Sequence, residues 1–122
     1  ITVIFWDLNN LKIINDTYGH EYGDKALSAL ASVLYAHSDE QCRRVYRFGG
    51  DEFVMIIDNP HDGEAELIIS AVKDELVKCS YDISIEISSA VGVASGNGSD
   101  IIEIVKNADS AMYADKQLYH HR

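Results

Sequence analysis

The chain has 122 residues, 47% hydrophobic and 25% charged, with twenty Asp and Glu against ten Lys and Arg and a net charge of -10. That length suits one compact domain with its own core. That charge argues against nucleic acid or anionic lipid as an unaided partner, since both need basic patches, but leaves open an anionic substrate delivered with a metal ion. Two cysteines, Cys42 and Cys79, are too few for a disulfide framework and suit a reducing compartment as small buried or half-buried residues. No apolar run approaches the roughly 20 residues that cross a bilayer, and no signal peptide is visible. The chain opens inside an apolar run and closes on His120-His121-Arg122 without a stop signal. It reads as a domain cut from a longer polypeptide.

Residues 2–6 are near-continuously apolar and rich in β-branched and aromatic side chains, as a central strand requires. Asn9 follows as a good N-cap, and Leu11, Ile13 and Ile14 begin a short helix that Gly19 breaks. From about Asp24 a second helix carries Ala26, Leu27, Leu30, Ala31 and Leu34 at helical spacing. Residues 44–48 and 53–58 read as short strands joined by Gly49-Gly50-Asp51-Glu52, paired glycines being a hairpin signal. The only proline, Pro60, sits in the turn that follows. Leu67, Ile68, Ala71, Val72 and Leu76 trace an amphipathic helix over residues 62–78. Ile83, Ile85, Ile87, Ser89, Val91 and Val93 then alternate with smaller or polar residues, the period of a strand. After a loop at 96–99, Ile101, Ile104, Val105, Ala108 and Met112 share one face of a last helix. The order β-α-α-β-β-α-β-α predicts an α+β fold, a split βαβ pattern with helices covering a mostly antiparallel sheet.

Two acidic spots lie where strands end. Asp7 closes the first strand, and Asp51 and Glu52 sit at the tip of the central hairpin. If those strands are neighbours, three carboxylates meet, and clustered carboxylates near backbone carbonyls are oxygen ligands for Mg²⁺. Spacing alone favours plain polar turn residues at Asp51 and Glu52, because Gly-Asp pairs are common in hairpins. Gly49 and Gly50 allow close backbone approach by a phosphate or base, as they would allow a tight turn. The helix start at Asn10-Leu11-Lys12 offers free N–H groups that can hold phosphate. Asn15 and Asp24 carry groups able to read a base edge, or to cap helices. Trp6 and the tyrosines are expected in the core or half-buried. His20 reads as structural, His37 and His61 as solvated, and Glu64, Glu66, Asp74 and Glu75 as the wet side of a helix.

Taken together, DLNNLKIINDTYGH at 7–20, Gly23-Asp24, Arg47-Phe48-Gly49-Gly50-Asp51-Glu52-Phe53 and Ala108-Asp109-Ser110-Ala111-Met112-Tyr113 resemble the GGDEF domain family. These are the bacterial diguanylate cyclases, which condense two GTP molecules into cyclic di-GMP. The resemblance runs from Val3 to about Lys116, essentially the whole chain. It implies a palm-like domain similar to the nucleotidyl cyclase core, with the active site on the GGDEF hairpin. Asp7, the carbonyl of Leu8 and Asp51 match metal ligands, with Mg²⁺ or Mn²⁺ as the cofactor. Asp51 and Glu52 match the catalytic acids, Asp51 being implicated in activating the attacking hydroxyl. Asn15 and Asp24 match the guanine-reading pair. The segment Asn10, Leu11 and Lys12, with Gly50 and Lys116, matches the remaining GTP contacts, Lys116 reaching the terminal phosphates. Each such domain holds one GTP, so the resemblance implies a second GGDEF domain as partner.

The departures are specific. The family's Asp-x-Asp-x-Phe-Lys carries Asn9 and Leu11 in place of the second Asp and the Phe. Its C-terminal Lys-x-x-Gly-Arg becomes Lys116-Gln117-Leu118-Tyr119-His120, so His120 replaces the phosphate-binding arginine, with His121 and Arg122 beyond it. Its inhibitory Arg-x-x-Asp falls on Glu40-Gln41-Cys42-Arg43 with the charges reversed, so no such inhibitory site is expected. The family's N-terminal Asp-x-Leu-Thr-Gly-Leu-x-Asn-Arg stretch is absent. The expectation is a single GGDEF domain over residues 1–122, part of a longer multidomain protein with sensor or phosphodiesterase domains. It would be cytoplasmic, with any membrane tether outside this chain. The expected activity is GTP condensation by attack of a ribose 3′-hydroxyl on an α-phosphate. The alternative is a weak or inactive GTP-binding module regulating a neighbouring domain such as a cyclic di-GMP phosphodiesterase.

Overall fold

In a computed structural model the structure is described for residues 1–39 and 41–120, the last by its backbone alone. Glu40, His121, Arg122 and the side chain of His120 lie outside that description, and with them the readings placed on those positions. The elements run β1 (Thr2–Leu8), α1 (Leu11–Tyr18), α2 (His20–Ala36), β2 (Arg43–Arg47), β3 (Glu52–Ile57), α3 (Glu64–Ile83), β4 (Ser89–Ser95), a single 3-10 turn and α4 (Ile101–His120). The strands form one antiparallel sheet in the order β2-β3-β1-β4.

The apolar run at the start explains itself in this order. β1 is central, and all seven of its residues are buried because helices cover both faces of the sheet. Ile4, Trp6 and Leu8 pack with Phe53, Met55 and Ile57 against α1, α2 and α3, through residues such as Leu30, Leu34, Val72 and Leu76. Val3 and Phe5 point the other way, onto Ile104, Ala108 and Met112 of α4. Each such fully buried side chain contributes about 1.5–3 kcal/mol. α4 lies very close to β4. A Cβ added at Gly92 would stand 2.1 Å from the Met112 nitrogen and 2.2 Å from the Ala108 carbonyl oxygen.

Element types follow the sequence reading, and several boundaries move. α1 is capped by Asn10, not Asn9, with φ 61° and no side-chain cap bond. α2 resumes directly at His20, because Gly19 with φ 95° turns the chain in one residue. α3 runs past Lys78 to Ile83, where Ser84 at φ 60° stops it. β4 starts only at Ser89; Ile85 and Ile87 are buried as their alternation requires, but the Ile87 N–H donates to the Ser80 hydroxyl (2.8 Å) instead of a strand. Leu67 faces solvent, and Tyr18, Tyr35, Tyr46, Tyr81 and Tyr113 are all exposed. Cys42 is exposed too, while Cys79 is half-buried. His37 is not solvated: it bonds Glu75 at 3.1 Å, joining α2 to α3. Glu64 is likewise paired, with Arg43 at 2.8 Å.

Candidate active site

The pairing of β1 with β3 sets Asp7 opposite Glu52, and the Leu8 N–H donates to the Asp51 carbonyl at 3.1 Å. The hairpin tip therefore meets the end of the central strand, and the three acidic residues share one corner. Asp7 is only 9% exposed. Its Oδ2 takes the Lys116 ammonium at 3.0 Å, and the same ammonium reaches the Leu8 carbonyl at 3.5 Å. Its Oδ1 is buried with no hydrogen-bond partner among the described residues. Burial raises the Asp7 pKa above its ordinary value and Asp51 pushes it further up, against the opposing pull of Lys116. Glu52 is raised too, by burial first and then by Asp7, Asp51 and Asp109.

Such a corner suits a divalent cation. An orphaned buried carboxylate oxygen, a backbone carbonyl and a second carboxylate are hard oxygen donors. No three acidic, histidine or cysteine side chains converge as a preformed cage among the described residues. That is the arrangement of an ion that takes one or two carboxylates and completes its shell with water and substrate phosphates.

The raised Glu52 pKa has a stability consequence. The folded chain holds this proton more tightly than the unfolded chain, so its stability falls as pH rises from the ordinary value of 4.5 through the raised one. Glu52→Gln should therefore raise the thermal midpoint at pH 7 in the presence of a chelator. The gain should shrink as pH is lowered below 4.5, where the native side chain is uncharged as well. A lower midpoint at pH 7 would contradict the crowding of charge.

The loop from β1 into α1 is held at each residue. Asn9 donates from its backbone to the Ser88 carbonyl (2.9 Å) and from its side chain to the Ser88 hydroxyl (3.0 Å). The Asn10 side chain donates to the Tyr119 hydroxyl at 2.8 Å. The first-turn N–H groups of α1, at 11–13, have no intrahelical acceptors and are available to phosphate. Leu11 is half-buried and Lys12 exposed.

Asn15 and Asp24, matched to guanine reading by the family pattern, lie on the α1–α2 side. Asp24 is exposed at the wall of a cleft of about 430 Å³ that Leu27, Arg47 and Phe53 also line. Asn15 does not line it; its Oδ1 is buried against Gly23, where an added Cβ would stand 1.8 Å away. Gly23→Ala must therefore displace the Asn15 amide. Because that amide is a movable side-chain end, the fold should survive. If Asn15 reads guanine as the family pattern implies, GTP affinity should fall about three- to ten-fold, the loss of one or so hydrogen bonds, with little change in thermal midpoint. Unchanged affinity would remove Asn15 from the site.

Gly50 is exposed at the hairpin tip. Arg47 folds back on that tip, donating to the carbonyls of Gly49 and Gly50. Its motif position suggested no such role. Asp115, which accepts the Val91 N–H at 2.9 Å, and the Tyr119–Asn10 bond also escaped the sequence reading, since their partners are far apart in the chain. Arg43, at the other end of β2, is engaged with Glu64 and the His37 carbonyl. A second cleft of about 290 Å³, lined by Asn9, Ser88, Asp115 and Tyr119, contains none of the nucleotide-matching residues.

The family model described as diguanylate cyclase, GGDEF domain, matches residues 1–122. The chain is 33% identical to the diguanylate cyclase DosC of Shigella sonnei over 96% of its own length and 26% of that protein. It is 34% identical to the cyclic di-GMP phosphodiesterase PdeR of Escherichia coli, over 96% of its length and 18% of that protein. It thus spans about a quarter or less of these relatives. Among solved structures, the active GGEEF domain of a diguanylate cyclase from Vibrio cholerae superposes with a TM-score of 0.81 at 28% identity, covering 95% of this chain and 76% of that one.

Proposed function

The chain belongs to the GGDEF domain family, and from that premise we propose that it is a diguanylate cyclase domain, joining two GTP molecules into cyclic di-GMP with release of two pyrophosphates. The observation that carries this reading is the corner that Asp7, Asp51 and Glu52 share, where one Asp7 oxygen is buried and unpartnered among the described residues. The family implies a divalent metal, and Mg²⁺ or Mn²⁺ held by Asp7, the Leu8 carbonyl and Asp51 would neutralise the triphosphate and polarise its α-phosphate.

The chain's own residues do the rest. Asp24 accepts from N1–H and the 2-amino group of guanine, donors that adenine does not present together, each bond to the charged group contributing roughly 1.5–3 kcal/mol. Asn15 completes the base contact. The N–H groups at the start of α1, with Lys12 and Gly50, hold the phosphates. Asp51 takes the proton of the incoming ribose 3′-hydroxyl as its oxygen bonds to the α-phosphorus and pyrophosphate leaves. Glu52 adds negative charge beside it, which would favour a bound cation. Lys116 has two claims on it: the family pattern sends it to the terminal phosphates, while here it lies on Asp7 and Leu8. Binding of the triphosphate would draw it from the second to the first.

Each domain supplies one GTP, so turnover needs two facing copies, and within a longer cytoplasmic protein sensor or phosphodiesterase domains would control that approach. Arg43 sits where the family's inhibitory aspartate would be and is paired with Glu64. Product should therefore not feed back through this position, and loss of inhibition in Arg43→Ala would refute that. The decisive assay fuses the chain to a two-stranded coiled coil and incubates it with GTP and Mg²⁺. Cyclic di-GMP is the expected product. GTP bound without product would overturn turnover in favour of a regulatory GTP-binding module.

A further inference from the structure

The β1–α1 loop is gripped from α4 at two points. Lys116 holds its start, at Asp7 and Leu8, and Tyr119, three residues on and so on the same helix face, holds its end at Asn10. Asn10 is the residue whose geometry aims the α1 N–H groups. Its carbonyl accepts from the Ile14 N–H at 2.8 Å to open the helix, and its backbone is left-handed at φ 61°, ψ 27°. Asn takes that conformation more readily than other residues with a side chain, chiefly where its amide finds a hydrogen-bond partner, whereas glycine takes it freely. The Asn10 side chain makes no cap bond to its own helix; it donates instead to the Tyr119 hydroxyl at 2.8 Å, 109 residues away. Tyr119 stands where the family pattern carries glycine, which has no side chain to make this bond.

We propose that Tyr119 is a positioning residue for the triphosphate. Its hydroxyl holds Asn10 in the left-handed conformation and so keeps the first-turn N–H groups of α1 converged on the phosphates. The inference rests on the nucleotide-binding reading above. It makes phosphate binding in this chain depend on α4 staying docked, because one helix carries both the Lys116 and the Tyr119 contacts.

The test titrates the full chain with a non-hydrolysable GTP analogue and, separately, with guanosine, each with Mg²⁺. Tyr119→Phe removes only the hydroxyl, and Tyr119→Gly restores the family's residue. The analogue should bind both variants about three- to ten-fold more weakly, the worth of one hydrogen bond. Guanosine affinity and the thermal midpoint of Tyr119→Phe should match the wild type. In an Asn10→Gly background, which tolerates the positive φ, Tyr119→Phe should add nothing. Equal analogue binding in Tyr119→Phe and wild type overturns this proposal alone, as does an equal loss for analogue and guanosine or an additive effect with Asn10→Gly. A wild-type chain that binds neither ligand overturns the nucleotide reading, and this proposal with it.

Discussion

Asp51→Asn should abolish product formation, lowering kcat at least about 1,000-fold, while the chain stays folded and still binds GTP. The substitution keeps the size and shape of the side chain. It removes the negative charge proposed to accept the 3′-hydroxyl proton and to help hold a cation. A positioned general base alone supplies roughly 10²–10⁴-fold, and the loss of a charged ligand adds to it. The proposed base contacts through Asp24 and Asn15 and phosphate contacts at α1 would be untouched, so GTP affinity should stay within about ten-fold. Chromatographic product assays and calorimetry of GTP binding measure the two quantities separately. A rate within ten-fold of wild type would leave Asp51 as the polar turn residue that spacing alone allows.

Gly92→Ala should cost about 2–3 kcal/mol of stability, read as a lower urea midpoint. The new Cβ would meet backbone atoms of Ala108 and Met112, which cannot rotate aside as a side chain can. α4 would have to lift, loosening Ile104, Ala108 and Met112 from Val3, Phe5 and Ala90. Overpacking of this kind commonly costs about 1–3 kcal/mol, and more where backbone must move. The neighbouring Val93, 38% exposed, is the internal control: Val93→Ala should change stability little. Because α4 carries Lys116 and Tyr119, the same variant should also weaken triphosphate binding. A cost as small as that of Val93→Ala would show that α4 is not fixed at this distance.

Much of this was legible in the chain and some was not, for identifiable reasons. The unbroken apolar run of β1 announces a strand covered on both faces, and the helical spacings of α2 and α4 announce their buried sides. The carboxylate corner was legible only conditionally, because Asp7 and Glu52 meet through a pairing between strands distant in sequence. Gly92 looks like filler in an alternating strand; only the approach of α4 gives it meaning. Lys116 reads as a phosphate ligand by pattern, yet lies on Asp7, since an unpaired buried carboxylate attracts the nearest ammonium. The exposed tyrosines ran against expectation because aromatic type does not decide burial where helices leave a face open. Tyr119 stood out as a departure from pattern, but no local rule joins it to Asn10.

The net charge of -10 takes a different shape once these residues are placed. Most of it is solvated surface, and a small part is concentrated in a corner where burial and mutual repulsion raise carboxylate pKa values. At that corner a cation would have to stand between the carboxylates and an acidic triphosphate. The most direct measurement is a titration of Mn²⁺, followed by electron paramagnetic resonance, into the chain with a non-hydrolysable GTP analogue. The wild type should bind the cation and the analogue together, and Asp7→Asn should weaken the cation at least about ten-fold, as loss of a charged ligand requires. Joint binding that is as tight in Asp7→Asn and Asp51→Asn as in the wild type would contradict the account.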